Sequence, residues 1–144
     1  MTLTVSPTTL TTPTPAFKVR NATGAQLEVG YAVYINGWNS SDGLPTVALA
    51  DKDTTGARAQ LLIVTAIADG ETGFVVAGDQ VVTGINVGAA VVGDPVFMGD
   101  AGLYAFTTAP SSGREERIGV VTVAGASGAF YFWPPALHVL QSLS

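Results

Sequence analysis

Cysteine is absent from this chain of 144 residues, which excludes disulfides, thiol nucleophiles and thiolate metal ligands. The single histidine, His138, has no serine or cysteine pattern beside it, so we interpret it as a surface residue. The sequence contains no phosphate-binding loop, no zinc-binding motif and no nucleophile elbow. It therefore predicts a protein that is not an enzyme and that has no catalytic residue, no cofactor and no metal.

Charge is also scarce. Only 12% of the residues are charged while 47% are hydrophobic, against roughly 25% charged in an average soluble domain. A domain of this length normally exposes many charges, so the deficit predicts that part of the surface contacts other protein. The net charge is −5 and the six basic residues are scattered, which argues against a nucleic-acid partner.

The segment of residues 118–137 carries no charge over 20 positions, the length of a membrane-spanning helix. Gly119, Gly125 and Pro134 interrupt it, and its first half is rich in β-branched residues. We predict two short strands joined by residues 124–128 rather than a helix. The first residues also lack the basic and apolar regions of a signal peptide, so no membrane partner is expected.

A pattern of strands and turns occurs twice in the chain. Residues 29–35 resemble residues 92–98, which matches Tyr34 with Phe97, and residues 43–48 resemble 102–107, which matches Leu44 with Leu103. Such self-similarity predicts one compact all-β unit built from two related halves with the same strand-turn-strand path, related by an approximate twofold axis.

The similarity continues after each copy. Residues 58–65 resemble residues 114–122, and the apolar segment 73–76 resembles 128–132. A single strong strand is predicted over residues 61–68. The remaining strands are predicted near residues 17–20 and 80–83.

Residues 1–15 differ in composition from everything that follows. They contain seven Thr, three Pro and no charge, and their large aliphatic residues are Leu3, Val5 and Leu10. The prolines favour an extended conformation. Two interpretations stay open: a terminus without fixed structure, or an arm that adds to a neighbour as a strand. We place an arm at 1–15, a β domain at 16–134 and a tail at 135–144.

Two acidic pairs, Asp51 with Asp53 and Asp69 with Glu71, have a spacing that would suit a weak calcium site. Both pairs lie in turn-like segments, where Asp commonly hydrogen-bonds the local backbone, and we favour that interpretation.

The densest charge cluster, residues 114–117, includes Arg114 and Arg117. It is either a loop that neutralises itself or an interface that uses the planar fork of arginine.

Four consecutive aromatic residues occupy positions 130–133. On a strand they point alternately to opposite faces, so at least one pair is expected outside the core. Tyr131, Trp133 and the loop residue Trp38 are therefore candidates for a contact surface between subunits or with a partner.

The turns and strands resemble the small β-rich structural proteins of tailed bacteriophages, many of which are capsid decoration (cement) proteins. The resemblance covers roughly residues 18–132. It is carried by residues 18–25, 29–34, 43–51, 67–73, 83–84, 92–97, 102–103, 107–110 and 117–121.

The resemblance implies a compact β-barrel or β-clip domain, similar to the tulip-shaped head decoration proteins. It implies a homotrimer on the outer surface of the virion capsid that binds the major capsid protein and stabilises its lattice, with the arm (Leu3, Val5 and Leu10) reaching onto the capsid. Two alternatives stay open: a tail or head-fibre component, and a carbohydrate-binding β module that stacks Trp38 or residues 130–133 on sugars.

Overall fold

The computed structural model describes residues 16–77 and 80–133, which form ten β-strands and no helix. The predicted all-β class is confirmed. The strands are β1 (Ala16–Asn21), β2 (Ala32–Asn39), β3 (Leu44–Leu49), β4 (Leu61–Ile63), β5 (Thr72–Ala77), β6 (Gln80–Ile85), β7 (Pro95–Met98), β8 (Tyr104–Phe106), β9 (Arg117–Val123) and β10 (Gly128–Phe132).

The first five strands close into a barrel in the order β1-β3-β2-β4-β5. Strand β1 closes it, because it pairs antiparallel with β5 and parallel with β3. The other pairs in the barrel are antiparallel.

The last five strands form an open sheet in the order β6-β10-β9-β7-β8. If β1 to β5 are matched in chain order with β6 to β10, the antiparallel neighbours are the same in both halves. The pair that is missing from the second half is β6 with β8, the counterpart of the parallel pair that closes the barrel. The second half is therefore an unclosed copy of the first.

Strand register supports the duplication residue by residue. Tyr34 pairs with Ala48, and its predicted match Phe97 pairs with Ala105. The predicted common path of residues 29–48 and 92–107, an antiparallel hairpin in each half, is confirmed.

The second predicted match, Leu44 with Leu103, is wrong. Leu44 opens β3 opposite Asn39, whereas Leu103 lies just before β8. The cause is hairpin length, since β2 has eight residues and a bulge between Ile35 and Gly37, whereas β7 has four residues.

Turn chemistry also recurs in the two halves. The Asn21 side-chain oxygen accepts a hydrogen bond from the Thr23 amide at 3.0 Å. The Asn86 oxygen likewise accepts one from the Gly88 amide at 2.8 Å. Both are turns in which an asparagine oxygen bonds the backbone two residues ahead. Later in each half, Gly30 and its match Gly93 have φ values of 86° and 96°, a left-handed region that glycine enters without steric cost.

Two hydrophobic cores follow from this arrangement. One fills the barrel and includes Val19, Val33, Val47 and Val75. The other lies between the barrel and the open sheet, and its buried members come from both halves; they include Ala32, Leu62, Val76, Met98, Ile118, Phe130 and Phe132. The two halves therefore bury apolar surface against each other and pack as one unit.

Two other expectations about the strands can be compared with the fold. Residues 118–137 were predicted to begin with two strands joined by residues 124–128, and β9 and β10 confirm this. The single strand predicted over residues 61–68 is wrong, because β4 ends at Ile63 and Ile67 instead forms an isolated bridge with Leu27.

No helix within residues 16–77 and 80–133 is long and apolar enough to cross a membrane. The predicted arm (residues 1–15, with Leu3, Val5 and Leu10), the tail (135–144) and His138 lie outside the described residues.

Candidate functional site

A cleft of about 420 Å³ opens where the barrel meets the unclosed sheet. The barrel contributes residues 29–31, 62–64 and 76 to its walls. The open sheet contributes all of β6, residues 80–85, and residues 103–104 at the start of β8. The cleft therefore lies against both edge strands of the incomplete half.

Large apolar side chains of the cleft are open to solvent. Val29 is 62% exposed, Val81 52%, Leu103 50% and Val64 42%. These side chains occur together at the cleft, whereas isolated exposed apolar residues are common on protein surfaces. Clusters of this kind are typical of surfaces that bind a partner.

Strand β6 has one bonded edge. It pairs antiparallel with β10, for example Val82 with Phe130, and no other described strand pairs with it. Within residues 16–77 and 80–133, its second edge therefore carries backbone N–H and C=O groups without a partner strand, and such an edge is the usual template for adding a strand from another chain.

Tyr104 links the open sheet to the barrel at one end of the cleft. Its hydroxyl donates a 2.5 Å hydrogen bond to the carbonyl oxygen of Gly30 in the barrel. The ring packs edge-on against Phe130, with centroids 4.8 Å apart. Burial raises the pKa of the Tyr104 phenol far above its ordinary value of 10. Tyr104 is therefore a fixed, neutral hydrogen-bond donor that joins the two halves.

Outside the cleft, Arg114 and Glu116 of the second half form an ion pair of 3.2 Å, and both side chains also bond the barrel half. Glu116 is buried, and its other carboxylate oxygen accepts a hydrogen bond from the Ala59 amide at 3.1 Å. The guanidinium of Arg114 also donates to three carbonyl oxygens of the barrel loop, those of Asp51, Thr54 and Ala57.

The guanidinium of Arg114 therefore binds groups of its own chain, as expected if the 114–117 cluster is a loop that neutralises itself. Its role in an interface stays a prediction.

Three carboxylates, those of Asp51, Asp53 and Asp100, lie close enough together to share one cation. The ammonium of Lys52 already lies among them, 3.0 Å from Asp53 and 3.5 Å from Asp100. The hydrogen bond to Asp53 raises the pKa of Lys52, and the same bond lowers the pKa of Asp53.

The carboxylate of Asp51 accepts hydrogen bonds from the amides of Asp53 and Ala101. In the second acidic pair, Asp69 accepts one from the amide of Gly24 at 2.9 Å. The bond from the Asp53 amide is the local turn bond favoured from the sequence, whereas the bonds from Ala101 and Gly24 join segments that are 50 and 45 positions apart in the chain.

The other predicted contact residues occupy separate places. Trp38 was predicted in a loop, which is wrong, because β2 of the barrel extends to Asn39 and includes it; its side chain is 66% exposed. Arg117 and Tyr131 belong to strands of the open sheet, and Trp133 directly follows β10. Arg117 is exposed, Tyr131 is half-buried opposite Val81, and Trp133 is 39% exposed.

Phe130 and Phe132 are fully buried, so the predicted alternation of the aromatic segment is confirmed. Interface roles for these residues stay predictions.

Sequence reasoning missed the cleft and three of its determinants: Val81, Tyr104 and the equivalence of β6 with β1. One signal was present. At the end of both β1 and β6, an asparagine is followed two or three residues later by a glycine: Asn21 by Gly24 and Asn86 by Gly88. Matching those two turns would have aligned β6 with β1.

No family model and no curated protein matches the sequence. Among solved structures, the chain is similar to the N base of the head fibre protein gp8.5 of bacteriophage phi29, with a TM-score of 0.56 and 13% identity. The match covers 82% of this chain and 92% of that one. At this identity the likeness establishes a shared fold.

Proposed function

We propose that this chain is a structural protein of a tailed-bacteriophage virion and that it lies on the outer surface of the head. The observation that carries the proposal is the fold match with the head fibre base of bacteriophage phi29 over 82% of this chain and 92% of that one. A match over 82% of the chain must include parts of both halves and not the barrel alone.

The first form of the proposal is a decoration protein. In this form the domain binds the major capsid protein as a homotrimer and stabilises the capsid lattice. The low charge supports it, because 12% charged residues leaves much of the surface suited to protein contacts. The solvent-exposed apolar residues, which include Trp38 and Val81, provide such surface.

The second form is the base of a head fibre, which the matched structure favours directly. A fibre base also binds the head exterior, but it holds a projecting part. The two forms differ in their effect on capsid stability.

The experiment is a co-sedimentation of purified protein with heads that lack it, prepared from the phage that encodes the chain. Saturable binding is expected. Saturable binding with a higher temperature of DNA release indicates decoration. Saturable binding with an unchanged release temperature indicates a fibre base. Absence of binding to heads contradicts both forms.

Trp38 offers a sharper test of the contact surface. Exposed tryptophans at the centre of an interface commonly contribute 2 kcal/mol or more to binding, about 30-fold in affinity. The Trp38→Ala variant is therefore expected to bind heads about 30-fold more weakly. Val92, which is 65% exposed, provides the matched control as Val92→Ala. Equal binding by the two variants would remove Trp38 from the contact surface.

A further inference from the structure

The second half of the molecule lacks the contact that completes the first. In the barrel, β1 pairs with β3, with Arg20 opposite Thr46 and Asn21 opposite Val47. The equivalent strands β6 and β8 are not paired with each other, and the cleft borders both of them. A strand that pairs with the free edge of β6 would therefore complete the half that the chain leaves open.

The cleft selects the chemistry of such a strand. Val29, Val64 and Val81 are each more than 40% exposed, so the wall of the cleft is apolar, and it carries no charged side chain. The occupant is expected to be an uncharged extended segment with apolar side chains at every second position. It must also be free of proline where it pairs, since proline cannot donate to a ladder.

Residues 2–6 of the chain have this pattern. Their sequence is Thr-Leu-Thr-Val-Ser, so Leu3 and Val5 share one face and Thr2 and Thr4 share the other. The segment carries no charge and ends at Pro7. Its length of five residues matches that of β6, which has six.

The position where the arm leaves the barrel brings it to the same face. Ala16, the first residue of β1, pairs with Val76, and Val76 lines the cleft. The nine residues from 7 to 15 reach about 30 Å when extended. Ala16, the first described residue after the arm, therefore lies beside the cleft, and a segment of nine residues is long enough to bring residues 2–6 to an adjacent molecule.

The composition of the arm favours a neighbouring copy over its own cleft. The sequence places Pro13 and Pro15 just before β1, and proline favours an extended conformation in the residue that precedes it. Residues 1–15 contain no Gly, Asn or Asp, the residues that most readily adopt the positive φ of the tightest turns.

We infer that residues 2–6 of one copy add as a strand to the free edge of β6 in the cleft of a second copy. The inference goes beyond the proposed function and does not depend on it, because the same exchange would join copies of any protein with this fold. It gives the expected oligomer a physical basis: each copy donates one arm and accepts another, which closes a ring.

The first test measures the mass of the full chain by light scattering over a dilution series. The wild-type chain is expected to form a closed oligomer. Placing carboxylates on the apolar face with Leu3→Asp/Val5→Asp is expected to raise the concentration of half-dissociation about 100-fold, roughly tenfold for each side chain.

The matched control, Thr2→Asp/Thr4→Asp, adds the same charge on the other face and is expected to stay assembled. A monomeric wild-type chain, or equal dissociation of both double variants, overturns the inference. Circular dichroism of every variant confirms that its β structure is intact.

The second test uses the absence of cysteine. Protein carrying Val5→Cys is mixed with protein carrying Val81→Cys and oxidised. A disulfide requires Cα atoms within about 7 Å, so a species with two linked chains is expected. Trp38→Cys, an exposed position that does not line the cleft, replaces Val81→Cys as the control and is expected not to link.

The same method separates the other occupants. If a chain that carries both Val5→Cys and Val81→Cys forms only a disulfide within itself, the arm returns to its own cleft and the exchange is overturned. If Val139→Cys in the tail links to Val81→Cys in place of Val5→Cys, the tail is the occupant and the inference is overturned as well.

Discussion

Removal of the Glu116 carboxylate, which lies at the junction between the halves, is expected to lower the free energy of unfolding more than any nearby change of charge. Glu116 is buried and accepts two hydrogen bonds, from Arg114 at 3.2 Å and from the Ala59 amide at 3.1 Å. Glu116→Ala leaves the Ala59 amide buried without an acceptor, which costs about 1–3 kcal/mol. It also leaves the guanidinium of Arg114 without its counter-charge.

Breaking a buried ion pair by removing one partner typically costs about 3–5 kcal/mol. The side chain of Arg114 is 19% exposed, so water relieves part of this cost and we expect the lower end, about 3 kcal/mol. In a chain near this size, that lowers the melting temperature by about 6–12 °C. Urea unfolding followed by circular dichroism measures the free energy directly.

Glu115 provides the control, because it is adjacent and exposed. Glu115→Ala is expected to change stability by less than about 0.5 kcal/mol. Arg114→Ala and the double variant complete a double-mutant cycle. The sum of the two single losses in the free energy of unfolding is expected to exceed the loss in the double variant by about 1 kcal/mol or more. Equal effects of Glu115→Ala and Glu116→Ala, or strict additivity in the cycle, would refute the role assigned to the pair.

Three further predictions concern single positions. Gly102→Ala is expected to destabilise the protein by at least about 2 kcal/mol more than Gly43→Ala. Both glycines have positive φ, but a β-carbon at 102 would lie 2.7 Å from the Leu49 side chain, whereas nothing lies within 4 Å at 43; thermal unfolding of both variants measures the difference. Tyr104→Phe is expected to cost about 1–2 kcal/mol in urea unfolding, because the Gly30 carbonyl loses its donor, and no loss relative to a Tyr34→Phe control would contradict that bond. Hydrogen bonds from the Val91 amide and the Thr107 hydroxyl hold the pKa of Asp94 below its ordinary 3.8. The contribution of Asp94 to the stability of the fold is therefore present above pH 3.8 and is lost as the pH falls through the lower pKa of the folded state. Asp94→Asn is therefore expected to flatten the acid side of the stability profile, and an unchanged profile would show that these bonds do not stabilise the carboxylate.

The duplication could be predicted from the sequence because its signals are local. Glycines such as Gly30 and Gly93 mark turns by their conformational needs, and apolar residues alternate between them. The aromatic segment was predicted for the same reason, since a period of two places Phe130 and Phe132 on one face and Tyr131 on the other.

The features that were missed depend on contacts between distant residues. Strands β1 and β6 share almost no sequence, so their equivalence could not be read from the strand residues. They differ in pairing, because β1 pairs with β3 whereas β6 does not pair with β8. The burial of Glu116 depends on Ala59, which is 57 positions away. Ile67 is buried like a strand residue, which is why a single strand was predicted over residues 61–68. Its partner in the structure is Leu27, from another part of the barrel.

The most direct test of the proposed role is a cryo-electron microscopy reconstruction of phage heads incubated with the full chain. The account predicts two-lobed density on the outer surface of the head, into which the closed barrel and the open sheet fit as one unit. A reconstruction identical to that of bare heads, under conditions in which the protein is folded and in excess, would contradict it.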